Sequence, residues 1–69
     1  MTLSPRQQEA LTLVEQGIGN KAIADKMGIT ASSVKAHLHE AFLKMGVSTR
    51  AEYLAQMLRQ ANQQLEKTK

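Results

Sequence analysis

Apolar residues recur every three to four positions in four blocks along the chain, and glycines separate each block from the next. This spacing places the apolar side chains of a block on one side of an α-helix. The sequence has no run with the period-two alternation that is typical of half-buried strands. The pattern therefore predicts an all-α fold, a single domain of four helices over about residues 5–16, 20–27, 31–45 and 50–65, with a frayed tail over 66–69.

Each predicted helix begins at a residue suited to capping, and the first three end at a glycine. Ser4 precedes Pro5 and stands three residues before Gln7, which is the spacing of a capping box. Thr49 and Glu52 repeat that spacing before the fourth helix. The other predicted caps are Asn20 and Thr30, and the helix-ending glycines are Gly17, Gly28 and Gly46.

The predicted core follows from the same spacing, one apolar stripe for each helix. The stripes are Ala10, Leu11, Val14 and Ile18, then Ile23, Ala24 and Met27, then Val34, Leu38, Ala41, Phe42 and Met45, and finally Leu54, Met57, Leu58, Ala61 and Leu65.

The composition is that of one small domain that packing alone must hold together. The chain has 69 residues and no cysteine, so neither disulfides nor cysteine-based zinc sites can reinforce it. No stretch approaches the roughly 20 apolar residues of a membrane span. We expect a cytoplasmic domain that needs no cofactor.

The excess of positive charge belongs to the second half of the chain. Residues 1–34 hold three basic and three acidic side chains, whereas residues 35–69 hold six basic and three acidic ones, which accounts for the net charge of +3. A polyanion is a suitable partner for such a surface. An excess of this size is common in small domains, so charge alone does not identify nucleic acid as the partner.

Residues 20–39 predict two helices joined by a short turn that contains Gly28, which is typical of the helix-turn-helix. Ala24 is small enough for the helices to approach closely, and Ile29 can fill the wedge between them. With its apolar stripe turned inward, the third helix presents an outer face of Ser32, Lys35, Ala36, His39 and Leu43. The outer face has no acidic residue and has small side chains near its N-terminal end, as a helix entering the DNA major groove requires.

Many further positions fit a known pattern. They are Leu3-Ser4-Pro5-Arg6 with Glu9 and Leu11, then Gly17, Asn20-Lys21, Ile23-Ala24 and Met27-Gly28-Ile29, then Ser33-Val34-Lys35 with His37, and Lys44-Met45-Gly46-Val47-Ser48-Thr49-Arg50. Together they resemble the LuxR/GerE-type helix-turn-helix domain. The resemblance implies a transcription regulator whose third helix reads DNA and whose fourth helix pairs two copies on an inverted or direct repeat. Such domains are usually the output half of a response regulator or autoinducer receptor.

The resemblance also implies roles for individual residues. Its base-reading positions fall on Lys35, Ala36 and His39, whose side chains can donate to a guanine, touch a thymine methyl and donate to a base-edge acceptor. Its phosphate contacts fall on Asn20, Lys21, Thr30, Ser32, Ser33, Lys44 and Thr49. Two positions depart from the family pattern, since His39 replaces another polar or basic residue and Leu43 stands where Lys or Arg is common.

The implied partners are double-stranded DNA, a second copy of the chain and, as a further candidate, RNA polymerase, with no membrane and no small-molecule ligand. On the fourth helix, Tyr53, Met57 and Gln60 either face solvent or form the dimer surface. Because the chain opens directly on Leu3-Ser4-Pro5, we expect a piece of a two-domain regulator rather than a stand-alone member of the family.

Other functions are weighed against DNA binding. A small helical interaction module, such as an anti-regulator that pairs through the fourth helix, is the alternative. His37 and His39 point roughly 200° apart on a helix and cannot hold one metal ion. We therefore predict no metal site. Neither Ser32 nor Ser33 has an acid or base partner, so we also predict that the chain is not an enzyme. For Glu9 we expect a structural bond to the start or turn of a neighbouring helix.

Overall fold

The computed structural model describes residues 2–67 of the chain, with side chains for residues 2–62. This part of the chain contains four helices and no strand, which confirms the all-α prediction: α1 (Pro5–Glu15), α2 (Asn20–Met27), α3 (Ala31–Met45) and α4 (Arg50–Lys67). The second and third helices have the predicted bounds, α1 ends one residue early and α4 continues two residues further. The side chain of Leu65 and positions 68–69 of the predicted tail lie outside the described residues.

Two of the predicted caps close their helices as expected. The Ser4 hydroxyl accepts from the Gln7 backbone N–H at 3.1 Å, while the Gln7 side chain accepts from the Ser4 N–H at 3.1 Å, so the capping box is complete. At α3 the Thr30 hydroxyl accepts from the Ser33 N–H at 3.1 Å. These bonds satisfy backbone donors that a helix start leaves without partners.

The caps predicted for α2 and α4 need correction. Gly19, not Asn20, is the residue before α2, and no side chain caps this helix. Asn20 is already helical, and its side chain accepts a hydrogen bond from Arg50 instead. Before α4, the Thr49 hydroxyl accepts from the Glu52 N–H at 3.1 Å, but the Glu52 carboxylate approaches the Ser48 N–H at 3.5 Å, so only half of the predicted box forms.

The turns after α2 and α3 have the same construction. Gly28 and Gly46 take the left-handed conformation, with φ of 68° and 75°. In each turn the next residue donates back to the last helical turn: Ile29 N–H to the Ala24 carbonyl and Val47 N–H to the Phe42 carbonyl, both at 3.0 Å. A side chain at either glycine would strain this conformation, so the two glycines fix where the chain reverses.

The core lies where α1, α2 and α3 meet. Its buried members are Ala10, Leu11, Val14, Ile23, Ala24, Met27, Val34, Leu38, Ala41, Val47 and Tyr53, with Ile18, Ile29, Phe42, Met45 and Met57 packed half-buried against them. The stripes predicted for the first three helices are thus inside or at the edge of the core. The stripe predicted for α4 is largely wrong, because Leu54, Leu58 and Ala61 are exposed.

Tyr53 takes the place that the prediction gave to the leucines of α4. It is 2% exposed, and its ring stacks on Phe42 with 5.8 Å between centroids. Its hydroxyl donates to a Glu15 carboxylate oxygen at 2.6 Å. Burial first, and then the bond to Glu15 and its negative charge, raise the pKa of Tyr53. Tyr53 therefore fastens α4 to α1 and α3, and its prediction as a dimer-surface residue is wrong.

In the part of the chain that the structure describes, no helix combines the length and the apolar character needed to cross a membrane.

Candidate nucleic-acid interface

The outer face of α3 is open to solvent along its whole length. Ser32, Lys35, Ala36 and His39 are exposed, and Leu43 at the C-terminal end is 64% exposed. Behind them the inward residues Val34, Leu38 and Ala41 are nearly or fully buried in the core. The helix is therefore held rigidly by one side while the other presents hydroxyl, ammonium, methyl and imidazole groups.

A groove of about 460 Å³ runs beside the outer face, and we call it the α3 groove. Four residues of the outer face line it together with Asn20 and Arg50, and Leu38 and Phe42 contribute apolar surface. The full lining is Asn20, Ser32, Lys35, Ala36, Leu38, His39, Phe42 and Arg50. None of these eight residues is acidic, so the groove combines cationic and hydrogen-bonding groups without a charge that would repel a polyanion.

The α3 groove brings together five of the predicted DNA contacts: Asn20, Ser32, Lys35, Ala36 and His39. The other predicted phosphate contacts do not line it. Of these, Lys21, Thr30 and Thr49 are exposed, and Ser33 is half-buried. Thr30 also donates its hydroxyl proton to the Ser33 hydroxyl at 3.1 Å, so these two residues build the start of α3.

Lys44 faces away from the groove, toward the N-terminal end of α1. Its ammonium donates to the Gln7 side-chain oxygen at 2.9 Å and to the Thr2 carbonyl at 3.3 Å. Gln7 is 4% exposed, and its amide nitrogen donates to Glu40 at 2.8 Å. In the structure Lys44 thus joins α1 to α3, while its phosphate contact stays a prediction.

The bond predicted for Glu9 is made by its neighbour instead. Glu9 pairs with Arg6 of its own helix at 2.8 Å. The Arg6 guanidinium then donates to the Met27 carbonyl at the end of α2, also at 2.8 Å. The link between α1 and the turn therefore exists, but arginine provides it because a carboxylate cannot donate to a helix's last carbonyls.

Sequence reasoning gave no role to Arg50, although the residue is within the motif quoted above. Its guanidinium donates to the Ile18 carbonyl at 3.1 Å and to the Asn20 side-chain oxygen. Position alone could not reveal this contact, because 30 residues separate Arg50 from Asn20. The sequence does offer one indication of it. An arginine at the first position of a helix cannot cap that helix, so its guanidinium is available for a contact elsewhere.

The exposed side of α4 also differs from the prediction. Met57 is half-buried against the core, whereas Gln60 is exposed. The large apolar side chains that remain open are Leu54, 38% exposed, and Leu58, 64% exposed. Together with Ala61 they form what we call the α4 apolar face.

Groups suited to metal binding do not converge in the described residues. Among the side chains of residues 2–62, no three of histidine, aspartate or glutamate come together as a metal site would need. His37 is half-buried, whereas His39 is exposed.

Comparison with known proteins gives this geometry a family. Residues 1–58 match the family described as bacterial regulatory proteins, luxR family. The nitrate/nitrite response regulator protein NarL of Escherichia coli (strain K12) is 42% identical over 50 residues, which are 72% of this chain and 23% of NarL. The oxygen regulatory protein NreC of Staphylococcus aureus (strain JH9) is 35% identical over 57 residues, 83% of this chain and 26% of NreC.

The chain spans about a quarter of the length of these two regulators. The matched residues include all of α1, α2 and α3, the turn between α2 and α3, and the first half of α4. With the exposed outer face of α3, the match establishes that this chain belongs to the luxR family of bacterial regulatory proteins and has its DNA-binding helix-turn-helix domain.

Proposed function

We propose that this chain is the DNA-binding output domain of a two-domain bacterial regulator, which inserts α3 into the major groove of double-stranded DNA. Lys35, Ala36 and His39 read base edges there, and Asn20, Lys21 and Ser32 contact phosphates. The proposed place of action is the cytoplasm, where the bacterial chromosome lies. The remaining part of the regulator supplies the signal.

The observation that supports this proposal is the form of the outer face. Beside the groove it presents Ser32, Lys35, Ala36 and His39 to solvent, and no acidic side chain lines the groove. Small side chains let a helix approach the floor of the major groove, and lysine pairs well with guanine. Rigid packing of Val34 and Leu38 beneath this face reduces the entropy that binding must overcome.

The α4 apolar face supports pairing of two copies on DNA. Leu54 and Leu58 expose apolar surface on one side of a long helix, and burying it between two copies is favourable. A dimer would place two copies of α3 on successive half-sites about one helical turn of DNA apart. Contact with RNA polymerase belongs to the same proposal, since a regulator bound beside a promoter meets the polymerase there.

The test is binding of the 69-residue chain to duplexes selected by it from a random pool, followed by fluorescence anisotropy. Lys35→Ala and His39→Ala are each expected to raise the Kd for the selected site about tenfold, because each removes a base contact. Arg59→Ala is the matched control, since Arg59 lies on α4 beside a different groove and carries the same charge as Lys35. Circular dichroism checks that all three variants keep their helices.

Two results would contradict the proposal. If Lys35→Ala and His39→Ala bind the selected site as tightly as the parent chain, α3 is not the reading helix. If the parent chain binds no duplex at low salt and high protein concentration, the alternative of an interaction module that pairs through the α4 apolar face is favoured.

A further inference from the structure

The Arg50 guanidinium joins the start of α4 to the segment that connects α1 with α2, which lies 30 to 32 residues earlier in the chain. Arg50 is the first residue of α4, and it donates to the Ile18 carbonyl in the turn after α1 and to the side chain of Asn20, the first residue of α2. Both Arg50 and Asn20 are half-buried. The fork geometry of a guanidinium fixes two acceptors relative to one another, which an ammonium cannot do.

This contact sets the polarity of the Asn20 amide. The amide oxygen accepts from Arg50, so the amide nitrogen remains as the donor end of the group. A donor suits a phosphate oxygen, whereas an amide turned the other way would present an acceptor and repel it. Without Arg50, the two orientations of the amide would compete.

The position of the pair relates it to DNA. Asn20 and Arg50 line the α3 groove together with Lys35 and His39. At α2, no side chain caps the helix start, so the first backbone N–H groups have no side-chain acceptor. A DNA strand whose bases meet the outer face would bring its phosphates near Asn20, since both belong to one groove.

We infer that Arg50 is a positioning residue for DNA binding, which holds the Asn20 amide with its NH₂ group toward the phosphate backbone. The inference rests on the proposed function of the chain as a DNA-binding domain. Arg50 uses two of its five N–H donors on protein acceptors, and in this inference it acts through Asn20 rather than as a phosphate ligand.

A double-mutant cycle tests the coupling. The Kd of the 69-residue chain for a labelled 30-bp duplex of random sequence is measured at low salt for the parent, Asn20→Ala, Arg50→Lys and the double variant. Each single change is expected to raise the Kd about fivefold, and the double change no more than the larger single one, because both remove the same contact. Lysine keeps the positive charge, so charge loss does not enter the comparison.

An exchange that preserves the clamp provides the second measurement. Asn20→Asp keeps an oxygen for Arg50, but it replaces the amide donor with a second oxygen and adds a negative charge. Its thermal midpoint should therefore equal or exceed that of the parent, while the Kd rises at least tenfold. Asn62→Asp, an exposed change on α4 with the same net charge, is the matched control and should bind within twofold of the parent. A clamp that lies away from the bound phosphates would leave Asn20→Asp binding like Asn62→Asp.

Three results would overturn the inference. One is an additive cycle, in which the double variant's Kd rises by the product of the single effects. Another is equal binding by Asn20→Asp and Asn62→Asp. The third is a salt slope lower by about 0.9 in Arg50→Gln, which would make Arg50 a direct phosphate ligand. In each case the parent still binds, whereas a parent that binds no duplex at low salt would refute the proposed function itself.

Discussion

The helix-turn-helix of α2 and α3 and the long helix α4 differ in how well apolar spacing describes them. In α2 and α3, the residues with helical spacing are the residues that pack inward, including Ile23 and Val34, both 0% exposed. In α4, the residues with the best spacing include Leu58, which is 64% exposed, while Tyr53 is 2% exposed. The same criterion thus identifies the buried side of one region and misidentifies that of the other.

The difference has a physical origin in the number of apolar faces. On α2 and α3 one side is apolar and the rest is polar or small except for Leu43, so a single rotation of each helix buries nearly all of its apolar residues. On α4, Tyr53 and Met57 lie roughly a quarter of a turn from Leu54 and Leu58, which gives two apolar sides. Periodicity detects that a side is apolar but not which partner covers it.

The largest expected effect is a difference in the free energy of unfolding between a substitution in the helix-turn-helix and one on α4. Ile23→Ala should lower the free energy of unfolding by about 3 kcal/mol, because it leaves a cavity in a closed core. Leu58→Ala, a comparable loss of apolar volume, should cost less than about 0.5 kcal/mol in dilute solution, where its side chain is solvated. Urea denaturation at micromolar concentration measures both.

A large loss in Leu58→Ala at that concentration would contradict the exposed position of the α4 apolar face. If the chain pairs through this face, the parent's thermal midpoint should rise with protein concentration, and that rise should weaken in Leu58→Ala. Ile23→Ala is the control, since it should lower the midpoint equally at every concentration.

Much of the fold and part of the interface follow from sequence, for reasons visible at particular residues. Ser4, Thr30, Gly28 and Gly46 act through bonds within a few residues, so local pattern suffices to predict the helix bounds. The role of Arg50 depends on contacts with residues 30 and 32 positions earlier in the chain. The residues next to Arg50 in the sequence do not reveal that these partners are close to it in the fold.

The second prediction concerns the side chain that fastens α4. Tyr53→Phe should lower the free energy of unfolding by about 1.5 kcal/mol at neutral pH, because it leaves the Glu15 carboxylate without the phenol donor. Since the pKa of Tyr53 is raised in the folded chain, its stabilising effect is complete below about pH 10 and is lost as the pH rises further. The stability difference between parent and variant should therefore shrink in alkali, and a constant difference would contradict the Tyr53–Glu15 bond.

The two lysines of α3 lie on different sides of the helix, since Lys35 is on the outer face and Lys44 bonds to α1. Lys44→Met should lower the free energy of unfolding by about 1 kcal/mol, because Gln7 and the Thr2 carbonyl lose their charged donor. Its Kd for DNA, and the dependence of that Kd on salt concentration, should stay close to those of the parent. Lys35→Met should leave the stability unchanged and weaken DNA binding. If both variants lose the same DNA affinity, Lys44 also contacts a phosphate.

The smallest expected effect comes from substituting two leucines, one in each region. Leu43 on the outer face of α3 and Leu58 on α4 are both 64% exposed. Leu43→Lys should lower the Kd for a random-sequence duplex about threefold and steepen its dependence on salt by about 0.9 in the log–log slope, because one more ammonium reaches a phosphate. Leu58→Lys adds the same charge on the α4 apolar face and should leave the slope unchanged. Anisotropy titrations at several salt concentrations, with stability checked by urea, distinguish the two. An equal gain from both leucines would mean that net charge, rather than the position of the outer face, governs binding, and the distinction between α3 as the DNA-facing helix and α4 as the pairing helix would fail.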